Sequence, residues 1–276
     1  MEYAKKTPAL SVVLPVYCAG AENYEYLKET LSSIAGQKYR DFEVVVVDDR
    51  SPLDITPLLD ETEPLLPSLR VLRNRTNMGH VFSRNMGTKA AEGTYIAYMD
   101  HDDIWLPDSL GRRLQALMGA PDCDMCFCDV DIFGSGAHKM KVNQSRIPEF
   151  ADFVWFAARF NMTVTSSAVM VKKSAMERIG GFDPKYSICD DFDAWLRILE
   201  DGGRCVHVPE KLARYRLHDR NTSLYSDRLK DHYLITKYIT RYYFNASMGT
   251  KLRLTYKVGR KWLGVAYLAL RKLFTR

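Results

Sequence analysis

The chain of 276 residues is long enough for one generous domain, or for a domain with an appendage. Hydrophobic residues make up 46% and aromatic residues 12% of the sequence, which has no low-complexity tract or internal repeat, so disordered and fibrous classes are excluded. The net charge of +5 includes eight basic residues in 251–276 and a surplus of three in 228–250, so the first 227 residues carry a net −6. An acidic body with a basic tail argues against nucleic acid as a partner.

The N-terminal segment and the cysteines favour a cytoplasmic protein with reduced thiols. The apolar stretch after the first Lys pair contains Pro15 and lacks a small-residue cleavage site, so it does not resemble a signal peptide. Cys123, Cys126 and Cys128 lie too close together in one strand-like stretch for a framework of bridges. We expect thiols packed in the core, with a zinc site as the alternative.

Short β-branched runs alternate with helical patterns along the first half of the chain. The spacing predicts helices over 24–36 and 81–92. The predicted strands are residues 10–17, 42–49, 69–74, 94–100 and 125–133. This alternation predicts an α/β fold with a Rossmann-like, mostly parallel central sheet flanked by helices. After about residue 150 the pattern becomes less regular, and we expect a second half of the same domain with mixed strand directions.

Polar residues follow four successive predicted strands, at the point where each strand ends. They are Pro15–Tyr17, Asp48–Asp49, Asn77–Gly79 and Asp100–Asp103. In parallel sheets, ligands bind beyond the carboxyl ends of the strands. The sequence therefore predicts a ligand site at this edge of the sheet.

The run Asp100-His101-Asp102-Asp103 places three carboxylates on one short segment. Like charges at this density repel one another unless a cation neutralises them, and Mg²⁺ or Mn²⁺ bound to a diphosphate substrate would do so. The alternative is that these acids cap a helix starting in the following IWLPDSL segment. The acids at neighbouring strand ends favour the metal.

Several motifs, taken together and in their order, resemble the family 2 inverting glycosyltransferases of the GT-A fold. They are SVVLPVY, VVVDDRS, NMGHVFSRN, GTYIAYMDHDD, GGFD, DDFDAWLRI and YRLHDRNTS, which span roughly residues 10–223. The resemblance implies a GT-A domain over residues 1–225, with a donor half at about 1–133 and an acceptor half at about 134–225. Residues 226–276 would form a basic helical C-terminal extension.

On the donor side the resemblance implies a nucleotide site and a divalent metal. The residues expected to border the base and ribose are Pro15, Val16, Tyr17 and Asp49. Asp100 is expected to touch the ribose or diphosphate, Asp102 to ligate the Mn²⁺ or Mg²⁺ that bridges the diphosphate, and His218 to reach the metal. Arg84 could counter diphosphate charge, with a solvated helix residue as the alternative. For Tyr17 and Asp49 the alternatives are strand-end packing and turn formation.

The segment DDFDAWLRILEDGG predicts a helix whose N-terminus carries Asp190 and Asp191, where both acids would be natural caps. The resemblance implies that Asp191 is the catalytic base for the acceptor hydroxyl, with Asp190 as the alternative base. A helix N-terminus would favour the ionised carboxylate. Gly181 and Asp183 of the GGFD turn are expected on the acceptor side together with Asp190, because glycine lets a sugar approach the backbone closely.

These features predict a hexosyltransferase-type enzyme that moves a sugar from a nucleotide diphosphate sugar, in the first instance a UDP-sugar, to a saccharide or lipid-linked acceptor during surface glycan assembly. The alternatives are a polyprenyl-phosphate sugar synthase and a non-catalytic nucleotide-sugar-binding membrane scaffold. A nucleotidyltransferase is disfavoured, because no Gly-rich phosphate loop follows the first strand. The sequence departs from the family pattern at Cys18, Arg50 and Asp190, where Asn, Gly and Glu are usual.

Residues 251–276 combine basic clusters with apolar residues at helical spacing. The uninterrupted apolar run Trp262–Leu270 is only nine residues long. Spanning a bilayer takes about 20. We expect an amphipathic helix on an anionic membrane surface, peripheral on the inner face of the cell membrane. The alternative is a helix that docks on the core or on a partner subunit.

Overall fold

A computed structural model describes residues 7–137, 149–151, 164–186 and 190–218, together with 221, 255 and 259. Apart from 255 and 259, the predicted extension 226–276 lies outside the described residues, as do parts of the predicted acceptor half. The tail helix and the domain boundary at 225 therefore stay predictions. Within the described part of the chain, no helix has the length and apolarity that a membrane crossing requires.

Strands and helices alternate in the first half of the chain at the predicted places. The strands are β1 (Leu10–Val16), β2 (Phe42–Asp48), β3 (Leu69–Arg73), β4 (Tyr95–Tyr98), β5 (Ile104–Trp105), β6 (Met125–Phe133), β7 (Phe150–Ala151), β8 (Val169–Lys172) and β9 (Cys205–Arg216). The helices are α1 (Ala21–Ala35), α2 (Thr56–Thr62), α3 (His80–Ala90), α4 (Ser109–Gly119), α5 (Lys173–Arg178) and α6 (Asp190–Glu200). Short 3₁₀ helices cover 63–65 and 166–168.

One sheet holds all nine described strands, in the order β3-β2-β1-β4-β8-β6-β9-β5, with β7 paired to β9. The first four neighbours run parallel. The remaining part is mixed, since β8 is antiparallel to β4 and to β6 whereas β6 and β9 are parallel. The predicted α/β fold is confirmed, including the change from a parallel first half to a mixed second half.

Helices cover both faces of the parallel half of the sheet, which explains why β1 and β2 are buried along their whole length. On one face, α1 buries Leu27, Leu31 and Ile34 in the same cluster as Leu10 and Val12. On the other face, α3 lies against Val13. Both helices end close to the predicted residues. The apolar residues of each helix recur on the one face that packs on the sheet, so their spacing indicates how far the helix extends.

The acidic run does not cap a helix. β4 ends at Tyr98, and after a turn the chain enters the two-residue strand β5, which pairs with β9. The next helix, α4, begins only at Ser109, with Asp108 at its N-cap position. The capping alternative for Asp100–Asp103 is therefore wrong.

Five of the six cysteines lie in the described part of the chain. They are all buried and unpaired: Cys18, Cys123, Cys126, Cys128 and Cys205. Burial raises the pKa of the Cys126 thiol to about 12, so this thiol stays protonated near neutral pH. These five residues act as small core side chains, as the sequence predicts.

Gly87 sets the contact between α3 and the sheet, so we expect Gly87→Ala to destabilise the fold. An added Cβ would lie 2.5 Å from Cγ1 of Val13 and 3.2 Å from Cγ2 of Val47. Val13 is stiff and fully buried, so overpacking should lower the free energy of unfolding by about 1–3 kcal/mol in urea titrations. Gly119→Ala is the control, because no atom lies within 4 Å of its added Cβ. Equal stability of the two variants would contradict this account of the packing.

Candidate active site

Asp102 and His218 form the pair at the centre of the acidic turn. His218 Nε2 lies 3.0 Å from Asp102 Oδ2, and both side chains are largely buried. Burial acts to raise the pKa of Asp102, but the hydrogen bond with His218 and the neighbouring His101 hold this pKa below its ordinary value. The turn therefore presents an ionised carboxylate beside an imidazole.

Asp103 has a structural role at the base of the same turn. Its side chain is fully buried and accepts hydrogen bonds from the Ser167 hydroxyl at 2.5 Å and from the Arg216 backbone N–H at 2.8 Å. Its carbonyl accepts another from the Thr30 hydroxyl at 2.8 Å. Burial, together with the charges of Asp102 and Asp100, raises the pKa of Asp103 well above its usual range. Asp103 thus anchors the turn to α1, to the 3₁₀ helix at 166–168 and to β9.

Arg216 closes the turn from the end of β9. Its Nε donates to the Asp102 carbonyl at 2.7 Å, and its guanidinium also pairs with Glu29. The guanidinium carbon lies 4.3 Å from the ring centroids of both Tyr26 and Phe133, in cation–π contact. Sequence reasoning singled out the neighbouring His218 and did not assign this role to Arg216, because its partners come from three distant segments.

Arg84 joins the turn after β4 to the start of α6. Its Nη1 donates to Asp190 Oδ2 at 2.5 Å, and its Nη2 pairs with Asp100 Oδ1. Arg84 is only 5% exposed, so the solvated-helix alternative is wrong. Its charge is already balanced by two protein carboxylates, and a role in countering diphosphate charge stays a prediction. Burial acts to lower the pKa of Arg84, but these carboxylates raise it overall.

The N-terminus of α6 carries Asp190 and Asp191, as the sequence predicts. Asp190 is held on both oxygens, by Arg84 on one and by His80 Nε2 at 3.1 Å on the other. Burial acts to raise the pKa of Asp190, but Arg84 and His80 hold it below its ordinary value. Both of these partners lie on α3 in the donor half, and the acceptor-side role of Asp190 stays a prediction.

Asp191 is the partly buried carboxyl of this pair. Burial, and then the adjacent charge of Asp190, raise the pKa of Asp191 to about 7. Arg84 and a hydrogen bond from the Phe192 backbone N–H act in the opposite direction. A carboxyl that titrates near neutral pH can accept a proton and release it again, as a general base must.

Asp49 organises the loop between β3 and α3. Its carboxylate accepts hydrogen bonds from the Asn74 side chain at 2.6 Å and from the backbone N–H groups of Met78 and Gly79 at 2.8 and 2.7 Å. Asp49 is only 3% exposed, and all its described partners are protein groups. These contacts are the ones that the turn-formation alternative predicts. A ribose contact by Asp49 stays a prediction.

The end of β1 supplies one exposed side chain to the same edge. Pro15 and Val16 are buried in the sheet, where the Val16 carbonyl accepts from the Asp49 N–H at 2.8 Å. Tyr17 is 39% exposed, so its ring is available to a ligand. Base and ribose contacts by Pro15 and Val16 stay predictions.

Arg50 follows Asp49 with a positive φ of 63°, the left-handed conformation that glycine usually takes. Neighbouring contacts impose this geometry, since the Ser51 N–H donates to Asp48 Oδ1 at 2.8 Å and the Ser51 hydroxyl accepts from the Cys18 N–H at 2.9 Å. The usual glycine of the family pattern is thereby explained. Among the described non-glycine residues, Arg50 alone has a positive φ.

The GGFD turn docks on α3. The Asn85 side chain donates to the Phe182 carbonyl at 2.8 Å and accepts from the Phe182 N–H at 2.8 Å. Gly181 has a φ of 78°, and a Cβ there would lie 2.5 Å from Asn85 Oδ1. The Asn85 side chain thus approaches Gly181 closely, and the approach of a sugar to this glycine stays a prediction. Asp183 accepts from the Lys185 N–H within the turn at 3.0 Å, and its acceptor-side role stays a prediction.

Asp102 and His218 are the described residues best suited to hold a divalent metal. Among the residues that the structure describes, no three His, Cys, Asp or Glu side chains form a complete metal-binding group. One carboxylate oxygen and one imidazole nitrogen nevertheless fit Mn²⁺ or Mg²⁺ when a substrate diphosphate and water complete the coordination shell. His101, the residue before Asp102, also has a buried Nε2 atom that makes no hydrogen bond with the described residues.

The raised pKa of Asp191 predicts a pH-dependent stability difference between the parent and Asp191→Asn. The folded pKa of about 7 exceeds the ordinary value of 3.8, so the folded state binds this proton more tightly than the unfolded state. The stabilisation is complete below pH ~4 and is lost as pH rises to ~7, whereas Asn carries no such proton. We expect the Tm of Asp191→Asn relative to the parent to rise by roughly 5 °C between pH 4 and 8. A difference in Tm that stays constant over this range would contradict the assignment.

Comparison with known proteins identifies the family of this chain. A sequence profile for the family described as "Glycosyl transferase family 2" matches residues 11–180, more than half of the chain. An uncharacterized glycosyltransferase of Methanocaldococcus jannaschii is 28% identical over 232 residues, which cover 84% of this chain and 78% of that protein. The amylovoran biosynthesis glycosyltransferase AmsB of Erwinia amylovora is 26% identical over 219 residues, which cover 77% and 71%.

Two solved structures share the fold. Residues 1–349 of S. aureus TarS in complex with UDP-GlcNAc superpose with a TM-score of 0.70 at 18% identity, covering 91% of this chain and 72% of that one. The chain spans 43% of a longer TarS chain. The mannosyltransferase PcManGT of Pyrobaculum calidifontis in complex with GDP-Man and Mn²⁺ superposes with a TM-score of 0.65 at 20% identity, covering 96% and 76%. The fold is the predicted GT-A fold, and the chain belongs to glycosyl transferase family 2.

Proposed function

We propose that this glycosyltransferase transfers a sugar, with inversion at the anomeric carbon, from a nucleotide diphosphate sugar to a hydroxyl of a saccharide acceptor. The observation that carries the proposal is the Arg84 bridge, which holds Asp100 of the donor half and Asp190 of α6 on one guanidinium. The bridge brings the start of α6, with Asp191, to the edge where β1, β2 and β4 end. The proposed base and the proposed donor contact therefore lie at one edge of the sheet.

The chemistry of the proposed reaction needs a base on one side of the sugar and charge neutralisation on the other. Asp191 accepts the proton of the acceptor hydroxyl as its oxygen attacks the anomeric carbon, and its pKa of about 7 suits this task. Asp102 and His218 would hold the divalent metal, which when bound neutralises the departing diphosphate. Asp190, already paired with Arg84 and His80, is less suited to be the base.

The donor and acceptor classes rest on the relatives. TarS binds UDP-GlcNAc and UDP, and PcManGT binds GDP-Man, which supports a nucleotide diphosphate sugar as the donor here. We propose a UDP-sugar donor. The amylovoran biosynthesis relative supports polysaccharide assembly, with a saccharide or lipid-linked acceptor. In a polyprenyl-phosphate sugar synthase the acceptor phosphate is already ionised, so the raised pKa of Asp191 favours a hydroxyl acceptor over that alternative.

Substitutions of Asp102 and of Asp191 should separate donor binding from transfer. Asp102→Asn should abolish metal-dependent binding of UDP-sugars in calorimetry, because it removes the carboxylate ligand. Asp191→Asn should leave donor binding unchanged and lower kcat by about 10²- to 10⁴-fold, because it removes the base. The anomeric coupling constant of the product, measured by proton NMR, should show inversion.

The control is Asp201→Asn, which alters an exposed carboxylate just beyond the other end of α6 and paired with Arg178. This variant should transfer sugar at the parent rate. If Asp191→Asn also transfers at the parent rate, Asp191 is not the base. Retention of configuration would exclude the inverting mechanism.

We also propose that the basic residues of 251–276 hold the enzyme at an anionic membrane surface, on the cytoplasmic side. The proposal rests on the sequence, since this segment lies outside the described residues apart from 255 and 259. In flotation with vesicles of anionic and of neutral lipid, the full chain should bind only the anionic vesicles. The double substitution Arg260→Glu with Lys261→Glu should abolish this binding, because each basic residue contributes about 1 kcal/mol near such a surface. Lys28→Glu with Lys89→Glu, two exposed body residues, is the charge-matched control and should bind as the parent does.

A further inference from the structure

Arg84 is unusual among the described residues because its buried guanidinium serves two carboxylates from different parts of the fold. Asp100 follows β4, and Asp190 opens α6, at sequence separations of 16 and 106 residues from Arg84. The guanidinium carbon also lies 5.7 Å from the ring centroid of Phe182, in the turn that docks on α3. Arg84 therefore contacts Asp100 in the donor half, and in the acceptor half it contacts both Asp190 of α6 and Phe182 of the GGFD turn.

The element that carries Arg84 is itself fixed. α3 lies against β1 and β2 at Gly87, where a Cβ would overlap Val13. One turn after Arg84, Thr88 donates to the Arg84 carbonyl at 2.8 Å and exchanges a hydrogen bond with the Tyr98 hydroxyl at 2.9 Å. The backbone of Arg84 thus has a fixed position relative to the sheet. Its side chain can therefore hold Asp100 and Asp190 at defined positions relative to the sheet.

Asp190 is the partner whose placement determines that of Asp191. Both oxygens of Asp190 are held from α3, by Arg84 on one and by His80 on the other. Two contacts on one carboxylate fix its rotation as well as its distance. Because Asp191 is the next residue in the same helical turn, the clamp on Asp190 also defines where the Asp191 carboxyl lies.

We propose that Arg84 is a positioning residue of the reaction: through Asp190 it fixes the first turn of α6, and so holds the base Asp191 in place relative to the donor contact Asp100. This inference rests on the proposed function for the role of Asp191 as a base. It assigns Arg84 no contact with substrate. The planar guanidinium is suited to the role because it can serve two carboxylates at once with separate N–H groups, whereas a Lys ammonium acts as a point charge.

The electrostatic surroundings of Asp191 provide a measurable consequence. The charged groups that act on Asp191 are Asp190 on its own helix, Arg84 on α3 and Asp100 after β4, and its backbone partner is the Phe192 N–H. His80 on α3 acts on Asp190 rather than on Asp191. Asp190 raises the pKa of Asp191 and Arg84 lowers it. Removal of either residue should therefore shift the titration of Asp191, in opposite directions.

Three full-length variants test the proposal. Arg84→Gln should move the midpoint of the Asp191 titration up by about 1 to 3 pH units, because a neighbouring opposite charge is lost. Asp190→Asn should move it down by about one unit or more, because a like charge is lost. Arg84→Lys should keep the midpoint near that of the parent but lower kcat by about tenfold or more, because the charge remains while the two-sided clamp is lost.

Two measurements follow the titration. One is the acid limb of kcat/KM for donor transfer in the presence of Mn²⁺. The other is the pH dependence of the difference in Tm between each variant and the same variant with Asp191→Asn, which needs no turnover. One outcome is that the midpoints of the Tm differences move as expected although neither the parent nor any variant transfers sugar. In that case the proposed function fails, and the placement of Asp191 by Arg84 stands. If the parent transfers sugar but Asp190→Asn leaves both midpoints unmoved, or Arg84→Lys keeps the parent kcat, the inference is overturned.

Arg70→Gln is the matched control, because Arg70 also pairs with two carboxylates, Glu43 and Glu92. Arg70 lies on β3, where it also donates to the Ala90 carbonyl at the C-terminal end of α3, away from His80. Its loss should lower the stability of the fold without moving either midpoint. A shift equal to that of Arg84→Gln would show that loss of any ion pair changes Asp191, and would also overturn the inference. Should Arg84→Gln fail to fold, Asp190→Asn and Arg84→Lys still decide the question.

Discussion

Repulsion between carboxylates is the physical constraint on which this site depends. Asp49, Asp100, Asp102, Asp103 and Asp190 all lie at or near the edge where the parallel strands end, and they are matched to different kinds of partner. Backbone N–H groups bind Asp49, an imidazole pairs with Asp102, and a guanidinium pairs with Asp100 and Asp190. Asp103 differs from the other four, because burial and the neighbouring charges of Asp102 and Asp100 raise its pKa while its oxygens accept from Ser167 and from the Arg216 backbone N–H.

This division of partners also affects Asp191, which has no ion pair with the Arg84 and His80 side chains that hold Asp190. Burial raises the pKa of Asp191, and the charge of the adjacent Asp190 adds to this effect. The same arrangement that keeps Asp190 ionised therefore raises the pKa of Asp191 into the neutral range. A structural ion pair and a group able to exchange protons arise together from two consecutive residues at one helix N-terminus, although a helix N-terminus alone would favour the ionised form of both.

The sequence predicted those parts of the fold that follow from local pattern. Strand runs such as Phe42–Asp48, the helix that begins at Asp190 and the gathering of polar residues at strand ends all depend on short periodicities and on the geometry of parallel sheets. It did not predict how side chains are matched across the site. The bridge from Arg84 to Asp190 and the stacking of Arg216 between Tyr26 and Phe133 join segments far apart in the chain, and no spacing rule fixes such pairs. Asp49 shows the same limit, because its strand-end position was predictable whereas its occupation by the loop at 74–79 was not.

The pairing of β5 with β9 has a consequence for the order in which the site can form. The acidic turn leads into Ile104–Trp105, yet the groups that complete it come from the end of β9: Arg216 bonds Asp103 across 113 residues, and His218 bonds Asp102 across 116. A ribosome that has released the first half of the chain has therefore released the parallel sheet and the acidic turn, but not the Arg216 backbone N–H or the His218 imidazole that bond to Asp103 and Asp102. A divalent metal held by Asp102 and His218, as proposed above, would therefore bind late in biosynthesis, because a nascent chain that stops short of residue 218 lacks the imidazole that pairs with Asp102.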